Sequence, residues 1–130
     1  MMSPVRRIFV LSSFALLLAA AATADEPVKR NLLERSELAG TNLVAVLARV
    51  EAAADAMLPR HTHPGVEITT CISGEMDLLI DGQPPRHITA GEHFQVPPGV
   101  PHSAKFGAVP AVLIASFVVD KDKPLSSPAP

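Results

Sequence analysis

His61-Thr62-His63-Pro64-Gly65-Val66-Glu67 is the stretch on which the reading of this chain turns. Two imidazoles one residue apart and a carboxylate four residues beyond share one parity, so on an extended strand all three side chains point to one face. Nitrogen and oxygen donors of this kind suit a divalent transition metal. A third imidazole closes a later stretch, Gly91-Glu92-His93-Phe94-Gln95-Val96-Pro97-Pro98-Gly99-Val100-Pro101-His102. An isolated H-x-H is more often a surface pair or a satisfied core pair than a ligand set, so the weight falls on the two stretches together.

Continued to Gly74, the first stretch fits H-x-H-x3-E-x6-G position for position, and the second fits G-x5-P-x-G-x2-H. This joint pattern resembles the cupin superfamily, specifically its small single-domain bacterial members, over about residues 41 to 119. The resemblance implies an all-β fold, a single-domain double-stranded β-helix or jelly-roll barrel, and it makes His61, His63, Glu67 and His102 the metal ligands. Two positions depart from the full pattern: Asp55 stands where a glycine is expected, and Phe106 where an asparagine is expected. Neither is a ligand position. Phe106 shares the parity of His102 and should face inward, making the pocket more apolar than the family pattern implies and leaving the substrate class open.

The first residues carry Arg6 and Arg7, an apolar run from Ile8 to Ala22, and Ala22-Thr23-Ala24 before Asp25. That is the layout of a secretory signal peptide over residues 1–24, cleaved after Ala24. The run is too short and too weakly flanked for a permanent membrane span, so no stable insertion is expected after cleavage. Arg6-Arg7-Ile8-Phe9-Val10 resembles the twin-arginine export signal, although an ordinary basic n-region reads the same way. The expected destination is the periplasm or the exterior, by the Sec or the twin-arginine route. Export of an already folded protein would fix the metal before the site met copper or zinc.

Cleavage removes two arginines and leaves nine Lys/Arg against thirteen Asp/Glu, a net charge of −4. A mildly acidic domain with no basic cluster and no Trp or Tyr is a poor fit to nucleic acid. Cys71 is the single cysteine, so no internal disulfide can form. The 48% hydrophobic fraction is inflated by the leader and does not argue for a membrane protein.

Residues 25–40 read as a lead-in, with Asn31 to Gly40 forming a short helical turn or an irregular edge segment. Residues 41–119 form the barrel, and 120–130, charged and then rich in Pro and Ser, read as a flexible tail. Thr41 to Val50 reads as the first long strand. Ala52 to Met57, helical by propensity, reads in context as a strand end and turn. From Glu67, the residues Thr69, Cys71 and Ser73 continue the inward parity, and Ile68, Thr70 and Ile72 face the other way. Beyond Gly74 the apolar set is Met76, Leu78 and Ile80. Asp81-Gly82 marks a tight turn, Arg86 to Ala90 a short edge strand, Phe94 to Val96 a further short strand, and Ala111 to Val119 an unbroken apolar strand. The prolines of residues 97–101 stiffen the approach to His102.

Thr69, Cys71, Met76 and Phe106 are the expected pocket residues. His93 reads as a rim residue, His87 as solvated, and Arg60 as a weak candidate for gripping a substrate carboxylate. Three imidazoles and one carboxylate fill four of six octahedral places, leaving two for water, dioxygen or two substrate oxygens. Manganese or iron is the expected metal, with zinc, nickel and copper as alternatives. Glu67, the ligand best able to loosen, is also the candidate base. Two functions follow: a metal-dependent dioxygenase-type or related enzyme acting on a small oxygenated compound, or a non-catalytic module that captures a small-molecule ligand or the metal itself. A third, weaker reading gives the metal a purely structural role. Ile68 and Ile72, opposite the ligand face, must be covered by the core, a second sheet or a partner subunit, and a homodimer is expected.

Overall fold

Leu43–Ala52 alternates without a break, so Val44, Val46, Ala48, Val50 and Ala52 line one buried face of a ten-residue strand. Ala111–Asp120 does the same with Ala111, Leu113, Ala115, Phe117 and Val119. Period-two burial of this kind requires a sheet with one face packed on a core. The computed structural model describes residues 26–130; the expected signal sequence and its cleavage point lie outside them. Among the described residues there are ten strands and no helix: β1 (Val28–Glu37), β2 (Leu43–Ala52), β3 (Met57–Thr62), β4 (Gly65–Ser73), β5 (Glu75–Ile80), β6 (Arg86–Thr89), β7 (His93–Val96), β8 (His102–Phe106), β9 (Ala111–Asp120) and β10 (Ser127–Pro128).

They form two five-stranded antiparallel sheets with the orders β1-β2-β9-β4-β7 and β10-β3-β8-β5-β6. The inner faces of the two sheets share one hydrophobic core. The chain passes from one sheet to the other between β3 and β4, and again between β4 and β5 at Gly74. The second crossing needs glycine twice over: φ is +76°, and an added Cβ would lie 2.7 Å from the Cβ of Ala111. The inward parity therefore flips there, from odd positions in β4 to Met76, Leu78 and Ile80 in β5.

Three expectations change. Residues 28–37 form a full strand, held by a ladder to β2 running from Val28 opposite Ala52 to Glu37 opposite Val44. They are almost wholly exposed, so no buried face marks the strand in the sequence. The expected flexible tail instead carries β10, paired with β3 through Ser127 opposite Thr62 and Pro128 opposite His61. Ser73 is exposed rather than inward, because the register against β9 slips between Cys71 and Ser73. Arg86–Thr89 is an edge strand as expected, and the turn after Ala52 leads directly into β3.

Candidate metal centre

His61 and His102 are cross-strand partners on β3 and β8, which brings their ring centroids to 4.1 Å. A register slip between Leu58 and His61 sets this pairing. His63 follows the end of β3, in the link to β4, with its ring 4.9 Å from that of His61 and 5.1 Å from that of His102. Glu67 lies on β4, in the other sheet, between Phe117 and Val96. His61 and Glu67 therefore approach from opposite sheets. Their shared parity on a single strand, the arrangement expected from the sequence, is not what unites them: the chain changes sheets at Pro64-Gly65. Gly65 permits the crossing, since a Cβ there would stand 2.0 Å from the Val118 carbonyl oxygen.

Each ring is oriented by a backbone carbonyl. Nδ1 of His61 lies 2.7 Å from Pro59 O, that of His63 lies 2.6 Å from Leu125 O, and that of His102 lies 3.0 Å from Val100 O. A carbonyl oxygen only accepts, so each Nδ1 carries the hydrogen and each neutral ring presents a lone pair at Nε2. The proline loop acts here as expected: it supplies the Val100 carbonyl, and the Gly99 amide donates to His63 O at 2.9 Å. One ligand atom from each of His61, His63 and His102 falls within a 4.8 Å cluster, and all three residues are buried.

Glu67 Oε1 accepts the Thr69 hydroxyl at 2.6 Å. Its Oε2 lies 3.1 Å from His63 Nε2 and 3.2 Å from His102 Nε2. These are hydrogen-bond lengths, yet none of the three atoms has a properly directed hydrogen-bond partner. Two nitrogen lone pairs facing a carboxylate oxygen away from water repel one another unless a cation or a proton stands between them. The donor set and its unsatisfied atoms fit a divalent metal held by the three imidazoles, with Glu67 completing the set. Burial pushes His61 down from its ordinary 6.5 to about 4, with the Pro59 carbonyl opposing and His102 and His63 adding to the shift. Burial works against ionisation of Glu67, but His102 and His63, where a proton at Nε2 faces the carboxylate, and the Thr69 hydroxyl outweigh it and hold the carboxyl below the usual range. A carboxylate held so low is a weak base until those contacts loosen.

His61, Glu67 and His102 open onto a cavity of about 30 Å³, lined otherwise by Thr69, Met76, Phe106, Ala104, Ala115 and several larger apolar side chains. Thr69, Met76 and Phe106 stand where the sequence suggested. Cys71 does not: it is buried beside the carbonyls of Ser73 and Gly74, with its thiol pushed up by burial, and is no part of the lining. His93 is exposed. His87 is exposed between Asp77 at 2.7 Å and Glu75 at 3.3 Å. Arg60 is engaged outside the barrel with both carboxylate oxygens of Asp81 and with Pro130 O. Arg30, which sequence reasoning missed, lines the cavity from β1. Its only signal was the alternation of a strand that could not be read as one.

Residues 48–117 match the cupin domain family. The dimethylsulfoniopropionate lyase DddQ of Ruegeria pomeroyi is 40% identical over 47 residues, which span 36% of this chain and 23% of the lyase. The crystal structure of that lyase superposes with a TM-score of 0.61 at 27% identity, covering 65% of this chain and 43% of the other. Recombinant oxalate oxidase in complex with glycolate gives a TM-score of 0.64 at 25% identity over 82% of this chain and 57% of the other. A cupin-like protein from Thermotoga maritima gives 0.63 at 20% identity over 78% and 75%, a likeness of fold. The chain thus spans about a quarter of the lyase's length in sequence and under half in structure. With its two facing sheets, its buried imidazole cluster and more than half its length matched, the chain belongs to the cupin domain family.

Proposed function

We propose that this chain is an exported, metal-dependent cupin enzyme of oxygenase or related type that acts on a small oxygenated compound. The observation that carries this reading is the convergence of the three imidazoles with Glu67, in which Nε2 of His63, Nε2 of His102 and Glu67 Oε2 are buried and without directed partners among the described residues. His61, His63, Glu67 and His102 would hold the ion; such a donor set binds copper or zinc more tightly than manganese or iron, so manganese or iron follows from folding around the metal before export. Bound there, the metal would supply Lewis acidity or redox chemistry to oxygens placed beside it.

The chain's own residues set the limits on what can react. A cavity of about 30 Å³ admits only a few heavy atoms; one water needs roughly 10–15 Å³ on this measure. Phe106, Met76 and Leu78, all buried, form part of its apolar wall. Thr69 fixes the Glu67 carboxylate from behind. The relatives support chemistry on small oxygenated molecules: one is a dimethylsulfoniopropionate lyase, the other an oxalate oxidase captured with two-carbon glycolate. Glu67 is the only ionised side chain among the buried lining residues, which favours a second reading as a non-catalytic binding module.

Elemental analysis of anaerobically purified protein, followed by oxygen uptake with small diketones, enediols, hydroxy acids and phenols, separates the two. Substrate-dependent uptake that is lost in Glu67→Ala supports the enzyme. Ligand binding without uptake or product under every metal supports the binding module.

A further inference from the structure

Arg30 lies opposite Val50 in the β1–β2 ladder, on the inward side of its sheet, and both residues line the cavity that holds His61, Glu67 and His102. Yet Arg30 is exposed, which places it where the cavity meets solvent. A shallow groove of about 210 Å³ lies immediately outside and shares Arg30, Leu58 and His61 with the chamber. Any molecule moving from groove to chamber passes the guanidinium.

The guanidinium carbon sits 5.8 Å from the centroid of the Phe117 ring, and that ring is 4.8 Å from the ring of His63. Phe117 is buried, so it gives Arg30 a fixed apolar platform beside the imidazole cluster. Other arginines of the fold are engaged: Arg35 with Glu37, Arg49 with Glu51, Arg60 with Asp81, and Arg86 with the His93 carbonyl. Arg30 has neither a carboxylate nor a hydrogen-bond acceptor among the described residues. A planar donor fork, stacked and unpaired at the entrance to a chamber of a few heavy atoms, is matched by a small carboxylate accepting two parallel hydrogen bonds.

We propose that Arg30 is a specificity-determining residue that selects a small carboxylate ligand at the mouth of the cavity, orienting its remaining oxygens toward the imidazole cluster. The proposal rests on the metal-site reading above and adds the charge of the ligand to it. Nothing in the motif stretches contributes this residue; β1, outside the family-matched residues 48–117, does.

The test is calorimetric titration of the metal-loaded full chain with glycolate and oxalate, and with glycolamide as the neutral counterpart, while metal content is measured on the same samples. Arg30→Gln should weaken glycolate or oxalate binding at least tenfold, about 1.4 kcal/mol, without changing metal content or glycolamide binding. Arg30→Lys should recover part of the loss, and Arg49→Gln should behave as the parent. Parent protein that loads metal but binds both carboxylates no more tightly than Arg30→Gln, or binds neither, overturns the assignment and leaves the metal site standing. Parent protein that loads no metal overturns both.

Discussion

Burial of His61 has a consequence at the scale of the single residue that can be read without any metal. Its folded-state pKa of about 4 lies below the ordinary 6.5, so between those values the unfolded chain binds more protons than the folded one. Stability of the metal-free protein therefore rises with pH across this window and falls as the solution is acidified from about 6.5 toward 4. Glu67, held below the usual carboxylate range, acts with the same sign at still lower pH. Urea unfolding of metal-free protein at pH 7 and pH 5 should show a lower midpoint at pH 5, and the difference should shrink in His61→Phe; equal midpoints would contradict the burial argument. The identities of the four clustered residues were legible through the family resemblance that the two motif stretches carry, and their tautomers were not, because the orienting carbonyls of Pro59, Val100 and Leu125 are backbone groups without a residue signature. Asp55, the departure from the family glycine, has φ of 58°. The left-handed conformation explains the expected glycine, and aspartate is among the residues that tolerate it.

At the scale of elements, the segments best read from the sequence were those with one buried face. β2, β5 and β9 alternate strictly and were placed to within a few residues. β1 and β10 were missed because both are exposed, and their backbones are satisfied by pairing that leaves no hydrophobic period. β10 matters to the site. The chain leading into it brings the Leu125 carbonyl to His63 Nδ1, and β10 itself pairs beside His61. Partners of this kind orient ligating histidines, and their loss typically costs 10- to 100-fold in metal affinity. Truncation after Lys123 should weaken metal binding by about that factor in a competitive chelator titration, with the strand content seen by circular dichroism retained. Unchanged affinity would show that the carbonyl does not hold the ring.

For the whole molecule, the outer face of the β1-β2-β9-β4-β7 sheet leaves Ile68 49% and Ile72 53% exposed, with Val118, opposite Val66, at 36%. The sequence reading of β4 anticipated this face. A second copy covering it would need to bury roughly 1,200 Å² or more in total for a stable dimer. We expect sedimentation to give a dimer that Ile68→Glu with Ile72→Glu converts to a monomer; a parent monomer at high micromolar concentration would contradict the assignment of that face. The central claim is that three buried imidazoles and one carboxylate form a metal site rather than a satisfied polar core. Its most direct test is the metal stoichiometry of protein purified anaerobically, compared with the His61→Ala/His63→Ala/His102→Ala triple variant and with His87→Ala. The account predicts close to one equivalent of a divalent transition metal in the parent and in His87→Ala, and almost none in the triple variant. Equal stoichiometry in parent and triple variant would contradict it.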